Sequence, residues 1–137
     1  MAHQAKVFVA NKPFPGIISV QYEQFTPPDE KNYRPADRAR NGVITIRRAS
    51  DEDCDWFAWA SESTEDKWRS GKIEFIDEDG EKIRELVWDH GFVHQFKEGM
   101  PDRRVEDVAR RIYEEIQIQA EIVEVDGERH EDNWPEV

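Results

Sequence analysis

Apolar and polar residues alternate in several short stretches of the sequence, and turn-forming residues separate these stretches. In residues 17–25, for example, Ile18, Val20 and Tyr22 alternate with polar side chains, as expected of a strand that buries one face. Similar alternation or a short β-prone run predicts further strands at residues 5–10, 43–48, 72–77, 83–89 and 92–96. The pattern therefore restricts the chain to a mainly β fold.

Two of these runs are predicted to form a β-hairpin. Residues 78–80 read Glu-Asp-Gly and favour a tight turn between the runs at 72–77 and 83–89. The inward positions of these predicted strands are candidate core residues, namely Ile44, Ile46, Ile73, Phe75, Leu86 and Trp88.

A helix is predicted over residues 50–61. Ser50 is a favourable N-cap, and the three acidic residues after it stabilise the positive end of the helix dipole. Trp56, Phe57 and Ala60 share one face of this helix, so we expect an aromatic face that packs against a sheet.

The apolar residues between positions 102 and 125 fit the spacing of a helix in one part and that of a strand in another, and the two overlap at Ile116. By residue spacing alone this stretch reads as a helix over 102–113 followed by a strand over 114–125. The residues that fit helical spacing are Val105, Val108, Ala109, Ile112, Tyr113 and Ile116, and those that fit strand spacing are Ile116, Ile118, Ala120 and Ile122.

Two segments lie outside these predicted elements. Residues 26–41 contain three prolines and four basic residues, which predicts a loop, and loops of this length in a small domain are often functional. Residues 126–137 are polar except for Trp134, and an aromatic residue so near a terminus suggests that it docks onto another surface.

Composition excludes several classes of protein. A chain of 137 residues is the size of one domain, so residues 1–137 are treated as a single unit. The 31 acidic and 19 basic residues give a formal net charge of −12, which disfavours binding to nucleic acid. No apolar run is long enough for membrane insertion, and the single cysteine, Cys54, cannot form an internal disulfide.

No catalytic arrangement is evident in the sequence. There is no glycine-rich phosphate loop and no nucleophile elbow. His90 and His94 share one face of a strand, but no third metal ligand has a suitable spacing. Cys54 lies among acidic residues, which disfavour its thiolate. We therefore expect a protein that is not an enzyme and has no catalytic residue, cofactor or metal.

Seven short motifs, in this order and spacing, resemble the Hcp family (TssD), the tube protein of the bacterial type VI secretion system. They cover nearly the whole chain. The motifs are Val-Gln-Tyr-Glu-Gln-Phe (20–25), Tyr-Arg-Pro (33–35), Asn-Gly-Val-Ile-Thr-Ile (41–46), Asp-Trp-Phe-Ala-Trp (55–59), Gly-Lys-Ile-Glu-Phe (71–75), Ile-Gln-Ile-Gln-Ala (116–120) and His-Glu-Asp-Asn-Trp (130–134).

The resemblance implies a small β-barrel of two packed antiparallel sheets with one short α-helix. It implies hexameric rings that stack into the inner tube of a contractile injection system, with sheath, spike and baseplate proteins as partners and effector proteins in the channel. The tube would assemble in the cytoplasm and be secreted through the type VI apparatus without a signal peptide. The resemblance also favours a loop at 102–110 and a strand at 111–122.

The same resemblance makes residues 26–41 an extended loop that contacts neighbouring subunits or the next ring. The candidate interface residues are Tyr33, Arg34, Pro35, Arg38, Arg40 and Trp134. Three alternatives remain open at this point: a tail-tube protein of a phage-like particle, a monomeric β-barrel that binds a small ligand, and a small enzyme that uses His90 or His94 with an acid.

Overall fold

The computed structural model describes residues 4–26, 39–62, 64–100, 112–132 and 134. Within these residues the chain forms eight β-strands and one short α-helix. The strands are β1 (Gln4–Val9), β2 (Lys12–Phe14), β3 (Ile17–Phe25), β4 (Arg40–Ala49), β5 (Arg69–Ile76), β6 (Lys82–Gly99), β7 (Tyr113–Val125) and β8 (Glu128–Glu131). The helix α1 spans Asp55–Ala60, and a single 3₁₀ turn spans Glu65–Lys67.

All eight strands belong to one antiparallel sheet. Its order is β2-β1-β5-β6-β7-β4-β3. Strand β8 pairs with β7 beyond Gln119, where the pairing of β7 with β4 stops. The sheet curls strongly into a half-barrel, which confirms the predicted mainly β, barrel-like fold with a short helix. The two packed sheets that the resemblance implies are one continuous hydrogen-bonded sheet in the described residues, because β6 and β7 are long enough to run through the curl. The predicted strands at 83–89 and 92–96 are parts of the single long strand β6.

Strands β6 and β7 both change their inward-facing positions at the same level of the curled sheet, which is called the bend of the sheet here. Inward positions on a regular strand are two residues apart, but Trp88 and Gly91 are both buried although they are three apart. Ala120 is buried and Val123 packs against the core with the same spacing of three. His90, which has a φ of 54°, lies at this point of β6. Both strands therefore contribute side chains to the core on either side of this point.

The core is apolar and rich in tryptophan. Trp56, Trp59 and Trp88 are all almost fully buried, and the predicted core positions Ile44, Ile46, Ile73 and Leu86 are buried with them. Phe75 is half-buried and packs against this cluster. A filled interior of this kind resembles a structural domain more than a barrel that holds a ligand.

The helix is shorter than its sequence signals predict. It begins at Asp55 instead of Ser50, because the acidic residues before it make other bonds. Asp51 accepts a hydrogen bond from the backbone N–H of Asp53, and Asp53 accepts one from the N–H of Asp55. These local turns replace the expected first helical turn.

The buried face of α1 also differs from the prediction. Trp56 and Trp59 are buried, whereas Phe57 is 60% exposed. Phe57 still contacts Phe96 edge-on, with ring centroids 5.6 Å apart. The prediction failed because Phe57 and Trp59 both lie within one helical turn of Trp56 and Ala60, so spacing alone could not decide which of the two faces the sheet.

A β-bulge changes which residues of β3 face inward. The pairing of β3 with β4 shifts between Ile17 and Ser19, so that Ile17 packs against the core while Ile18 is 43% exposed. The simple alternation placed Ile18 inward with Val20 and Tyr22, and only the last two do pack against the core. The extra residue at the bulge turns Ile18 outward.

Three predicted boundaries change. Strand β4 begins at Arg40, so the end of the predicted loop 26–41 is strand, and residues 27–38 lie outside the described residues. Strand β7 begins at Tyr113, which confirms the strand predicted over 114–125; residues 101–111 lie outside the described residues. The segment 126–137, predicted as a polar tail, contains β8 because its backbone continues the pairing along β7.

Candidate assembly interface

Strand β3 presents an open edge. It pairs with β4 on one side, and no described strand pairs with it on the other. This edge strand is nine residues long, and two of its large apolar residues, Ile18 and Phe25, are 43% and 49% exposed. An unpaired strand edge with exposed apolar residues is a site for pairing with another chain.

The opposite end of the sheet is different. Strand β2 has three residues, among them Lys12 and Pro13, both exposed. Pro13 has no N–H to offer to a further strand, and Lys12 forms an ion pair of 2.6 Å with Asp53. The two ends of the sheet are therefore unlike, and a contact that joins one to the other would run head to tail.

The candidate interface residues lie in different places. Arg40 is exposed at the start of β4 and pairs with Phe25 in the register of the sheet, so it adjoins the open edge of β3. Trp134 is half-buried against Trp68 and Phe92 of its own chain. The other four, Tyr33, Arg34, Pro35 and Arg38, lie outside the described residues.

Arg48 forms a buried hub that the sequence analysis missed. Its side chain is completely buried, and its Nε donates to Glu114 Oε1 at 2.5 Å. Its other guanidinium nitrogens donate to both carboxylate oxygens of Asp51 and to the backbone oxygens of Pro15 and Asp53. Alternation could have shown that Arg48 shares a face with Ile46, but its partner lies 66 positions away.

The charges of this hub affect the pKa values of its members. Burial raises the pKa of Glu114, although Arg48 opposes the rise. Burial would lower the pKa of Arg48, but its hydrogen bond to Asp51 and the charge of Glu114 outweigh this effect and raise it. The hydrogen bond from Arg48 lowers the pKa of Asp51. The hub joins β4, β7, the β2–β3 turn and the segment before α1.

Asn41 joins three strands at one point. Its side-chain amide donates to the backbone oxygens of Glu121 at 3.0 Å and His130 at 3.3 Å. Its backbone N–H donates to the carboxylate of Asp132 at 3.0 Å. The sequence analysis noted Asn41 only as part of a motif, and it did not predict this junction of β4, β7 and β8.

A second junction lies at the bend of the sheet. Glu121 Oε1 is 2.9 Å from His90 Nδ1, and Glu121 Oε2 accepts the backbone N–H of Trp134 at 2.5 Å. The hydrogen bond to Glu121 raises the pKa of His90. Among the described residues, no group of three or more His, Cys, Asp or Glu side chains could hold a metal ion. The partner of His90 in this junction is therefore a glutamate 31 positions away in the sequence, Glu121.

No helix in the described part of the chain is long and apolar enough to cross a membrane. The surface features of the described residues that suit association are the open edge of β3 and Arg40 at the start of β4. These are features of association between chains more than of catalysis.

Solved structures share this fold. Hcp1 from Flavobacterium johnsoniae has a TM-score of 0.78 and 23% sequence identity, covering 93% of this chain and 98% of that chain. Hcp1 from the E. coli EAEC 042 pathovar has a TM-score of 0.70 and 9% identity, covering 95% and 98%. The sheath-tube complex of an extracellular contractile injection system, PVC, contains a chain with a TM-score of 0.57 and 15% identity, covering 90% and 88%.

No curated protein sequence matches the chain. The model of one protein family does match it, over residues 1–135, and the family is described as hemolysin coregulated protein Hcp (TssD). The match spans nearly the whole sequence, and the fold agrees with solved Hcp structures. The chain therefore belongs to the Hcp (TssD) family.

Proposed function

We propose that this chain, a structural subunit of the inner tube of a type VI secretion system, forms six-membered rings that stack into a tube. The observation that carries the proposal is the family match over residues 1–135, together with the Hcp fold. Hcp proteins are structural tube proteins, and the hexameric ring is what the family resemblance implies. The geometry of the sheet adds how neighbouring subunits would meet.

Neighbouring subunits in the ring meet head to tail, and the open edge of β3 is one side of the contact. The two ends of the sheet differ, so one surface of each subunit faces a different surface of the next. Such a contact closes into a ring when the rotation between neighbours divides a full turn. Pairing would cover the exposed side chains of Ile18 and Phe25.

The basic residues of the segment that leads into β4, and Arg40 at its start, contribute to contacts between subunits. With a net charge of −12, identical copies repel one another unless basic side chains pair with the carboxylates of a neighbour. Arginine suits this role because its guanidinium can bind a carboxylate through two parallel hydrogen bonds. Tyr33, Arg34, Pro35, Arg38 and Arg40 are the residues that we propose for these contacts.

The remaining partners follow from the type VI assignment. We propose a sheath around the tube, spike and baseplate proteins at its end, and effector proteins in its channel. The tube would assemble in the cytoplasm and leave through the secretion apparatus. A second candidate function is a tube subunit of another contractile injection system, which the similarity to a chain of the PVC sheath-tube complex favours.

The first test measures the mass of the protein in solution by light scattering after size-exclusion chromatography, with electron microscopy of the same fractions. Six-subunit rings are expected. Ile18→Glu should shift the protein toward the monomer because a charge would be buried at the contact. Ile83→Glu is the matched control, because Ile83 is also exposed, at 57%, but lies on β6.

A monomer at every concentration and salt would contradict the ring, and binding of a small ligand would then be the function to test. Equal effects of Ile18→Glu and Ile83→Glu would remove the edge of β3 from the contact. For the basic segment, Arg34→Glu and Arg38→Glu should weaken assembly with an unchanged circular dichroism spectrum. Lys67→Glu, an exposed site on the 3₁₀ turn with the same charge change, is the control.

A further inference from the structure

A short strap of residues closes part of the edge of β7. Strand β4 pairs with β7 only as far as Gln119, and β8 pairs with the next stretch of the same edge, residues 122–125. The β8 strap is defined here as residues 128–132 and Trp134. It therefore occupies the position in the sheet that β4 leaves empty.

The strap replaces an apolar strand edge with a charged one. The covered residues of β7 read Ile-Val-Glu-Val, a sequence that favours strand pairing. The strap residues opposite them read Glu-Arg-His-Glu and are short and charged. Short, charged edge strands hinder pairing with other chains, whereas apolar edges promote it. Covering β7 in this way lowers the tendency of this edge to associate.

Asn41 holds the first part of the strap. Its amide donates to the backbone oxygen of His130, and Asp132 accepts the backbone N–H of Asn41. Asp132 also donates its own N–H to the backbone oxygen of Glu121 at 2.9 Å. The strap is thereby fixed to the beginning of β4 and to β7 at the bend.

Trp134 holds the other end. Its N–H donates to Glu121 Oε2, and its ring packs edge-on against Trp68 with centroids 5.4 Å apart. Phe92 lies 5.6 Å away on the same cluster. Glu121 is itself held by His90, so the anchor lies at the bend of the sheet. Release of the strap would uncover both the edge of β7 and the Trp68–Phe92 pair.

We propose that the β8 strap decides which strand edges are open to a second copy of this chain. In the fastened state it covers β7 and leaves the edge of β3 for ordered ring contacts. In the released state the edge of β7 pairs with other copies without a fixed geometry. The proposal concerns assembly and so rests on the proposed ring function.

The test combines hydrogen exchange with mass measurement on the full chain. Trp134→Ala removes the ring contacts with Trp68 and Phe92, and Asn41→Ala removes the side-chain hydrogen bonds to Glu121 and His130. Each should raise about tenfold the exchange rate of those amides in residues 122–125 that point to β8, since alternate amides of a strand point to opposite neighbours. Exchange in β4 should change little. Both variants should give particles of irregular size whose mass increases with concentration, in place of uniform rings.

Two further variants make the outcome specific. Trp134→Phe keeps the backbone N–H and an aromatic ring, and should restore slow exchange and uniform rings. Glu81→Gln alters an exposed side chain in the turn between β5 and β6, outside the strap, and should have no effect. A general loss of stability would instead raise exchange in all strands together, including β4, and that result would overturn the proposal.

Unchanged exchange in both anchor variants would also overturn it, as would faster exchange at residues 122–125 with uniform rings retained. The wild-type protein is measured in the same series. A wild-type monomer would show failure of the ring function, whereas failure of the strap proposal shows in the comparison of the variants with the wild type.

Discussion

Replacing Arg48 with methionine tests whether the buried hub stabilises the fold. The Arg48 side chain is 0% exposed and that of its partner Glu114 is 4% exposed. Methionine has a similar length and no charge, so the carboxylate of Glu114 would remain buried without its cation. We expect a loss of about 3–5 kcal/mol in the free energy of unfolding, because an uncompensated buried charge costs this much.

The measurement is urea unfolding of the dissociated subunit, followed by tryptophan fluorescence. In a thermal scan the same loss should lower Tm by about 10–20 °C for a domain of this size. Arg47→Met is the matched control. Arg47 also pairs with a glutamate of β7, Glu115, at 3.1 Å, but its side chain is 35% exposed. An exposed pair of this kind contributes less than about 1 kcal/mol.

Two further results follow from the same reasoning. Replacing Arg48 by Met and Glu114 by Leu together should restore most of the lost stability, because the buried charge is gone. The defect of Arg48→Met should also be smaller at about pH 5 than at about pH 8. Burial raises the pKa of Glu114 in the folded state, so the cost of its charge increases as the pH rises above the unfolded-state pKa.

Either of two observations would refute the reasoning. One is an Arg48→Met variant that loses no more stability than Arg47→Met. The other is a double variant that is no more stable than Arg48→Met alone, because the loss would then arise from packing around Phe14 and Trp56, which the Arg48 guanidinium also contacts.

Three other predictions concern pH, packing and salt. Glu121 raises the pKa of His90 above 6.5, so the stability that this pair adds is complete below about pH 6.5 and is lost as the pH rises through the folded-state pKa; in urea unfolding, His90→Gln should show a shallower loss between about pH 6 and 8. Gly71→Ala should cost about 1–3 kcal/mol in thermal unfolding, because a Cβ there would overlap the Trp88 ring; an unchanged Tm would contradict this packing. Rings should form at lower protein concentration as salt increases, because salt screens the repulsion between subunits of charge −12; light scattering across a salt series would show the opposite trend if attraction between charges dominated.

Local sequence signals were sufficient for six of the eight described strands and for the family, whereas β2 and β8 were not predicted. Alternation identified β3 and the inward positions of β4, and the turn at 78–80 fixed the hairpin of β5 and β6. The order of the seven motifs identified the family that the match over residues 1–135 shows. These signals work because successive side chains of a half-buried strand point alternately to the core and to solvent, so apolar residues recur with a period of two.

The same signals failed where a residue's environment depends on distant parts of the chain. The first turn predicted from Ser50 is absent because Asp51 accepts the N–H of Asp53 and binds Arg48, whose side chain is held in the core by Glu114, 66 positions away. Ile18 is exposed because a bulge shifts the register of β3 against β4. The alternation of apolar and polar residues shows neither the bulge in β3 nor the ion pair between Arg48 and Asp51.

The sequence by itself determined a mainly β chain with one short helix and the family to which it belongs. Only the tertiary structure decided that Arg48 is buried, that β6 and β7 bend at His90 and Glu121, and that the segment after residue 127 forms the β8 strap. The partners in these features lie far apart in the sequence: Arg48 and Glu114 are separated by 66 positions, and Asn41 and Asp132 by 91. A local pattern records which face of a strand is buried, but the folded chain decides which polar groups meet there.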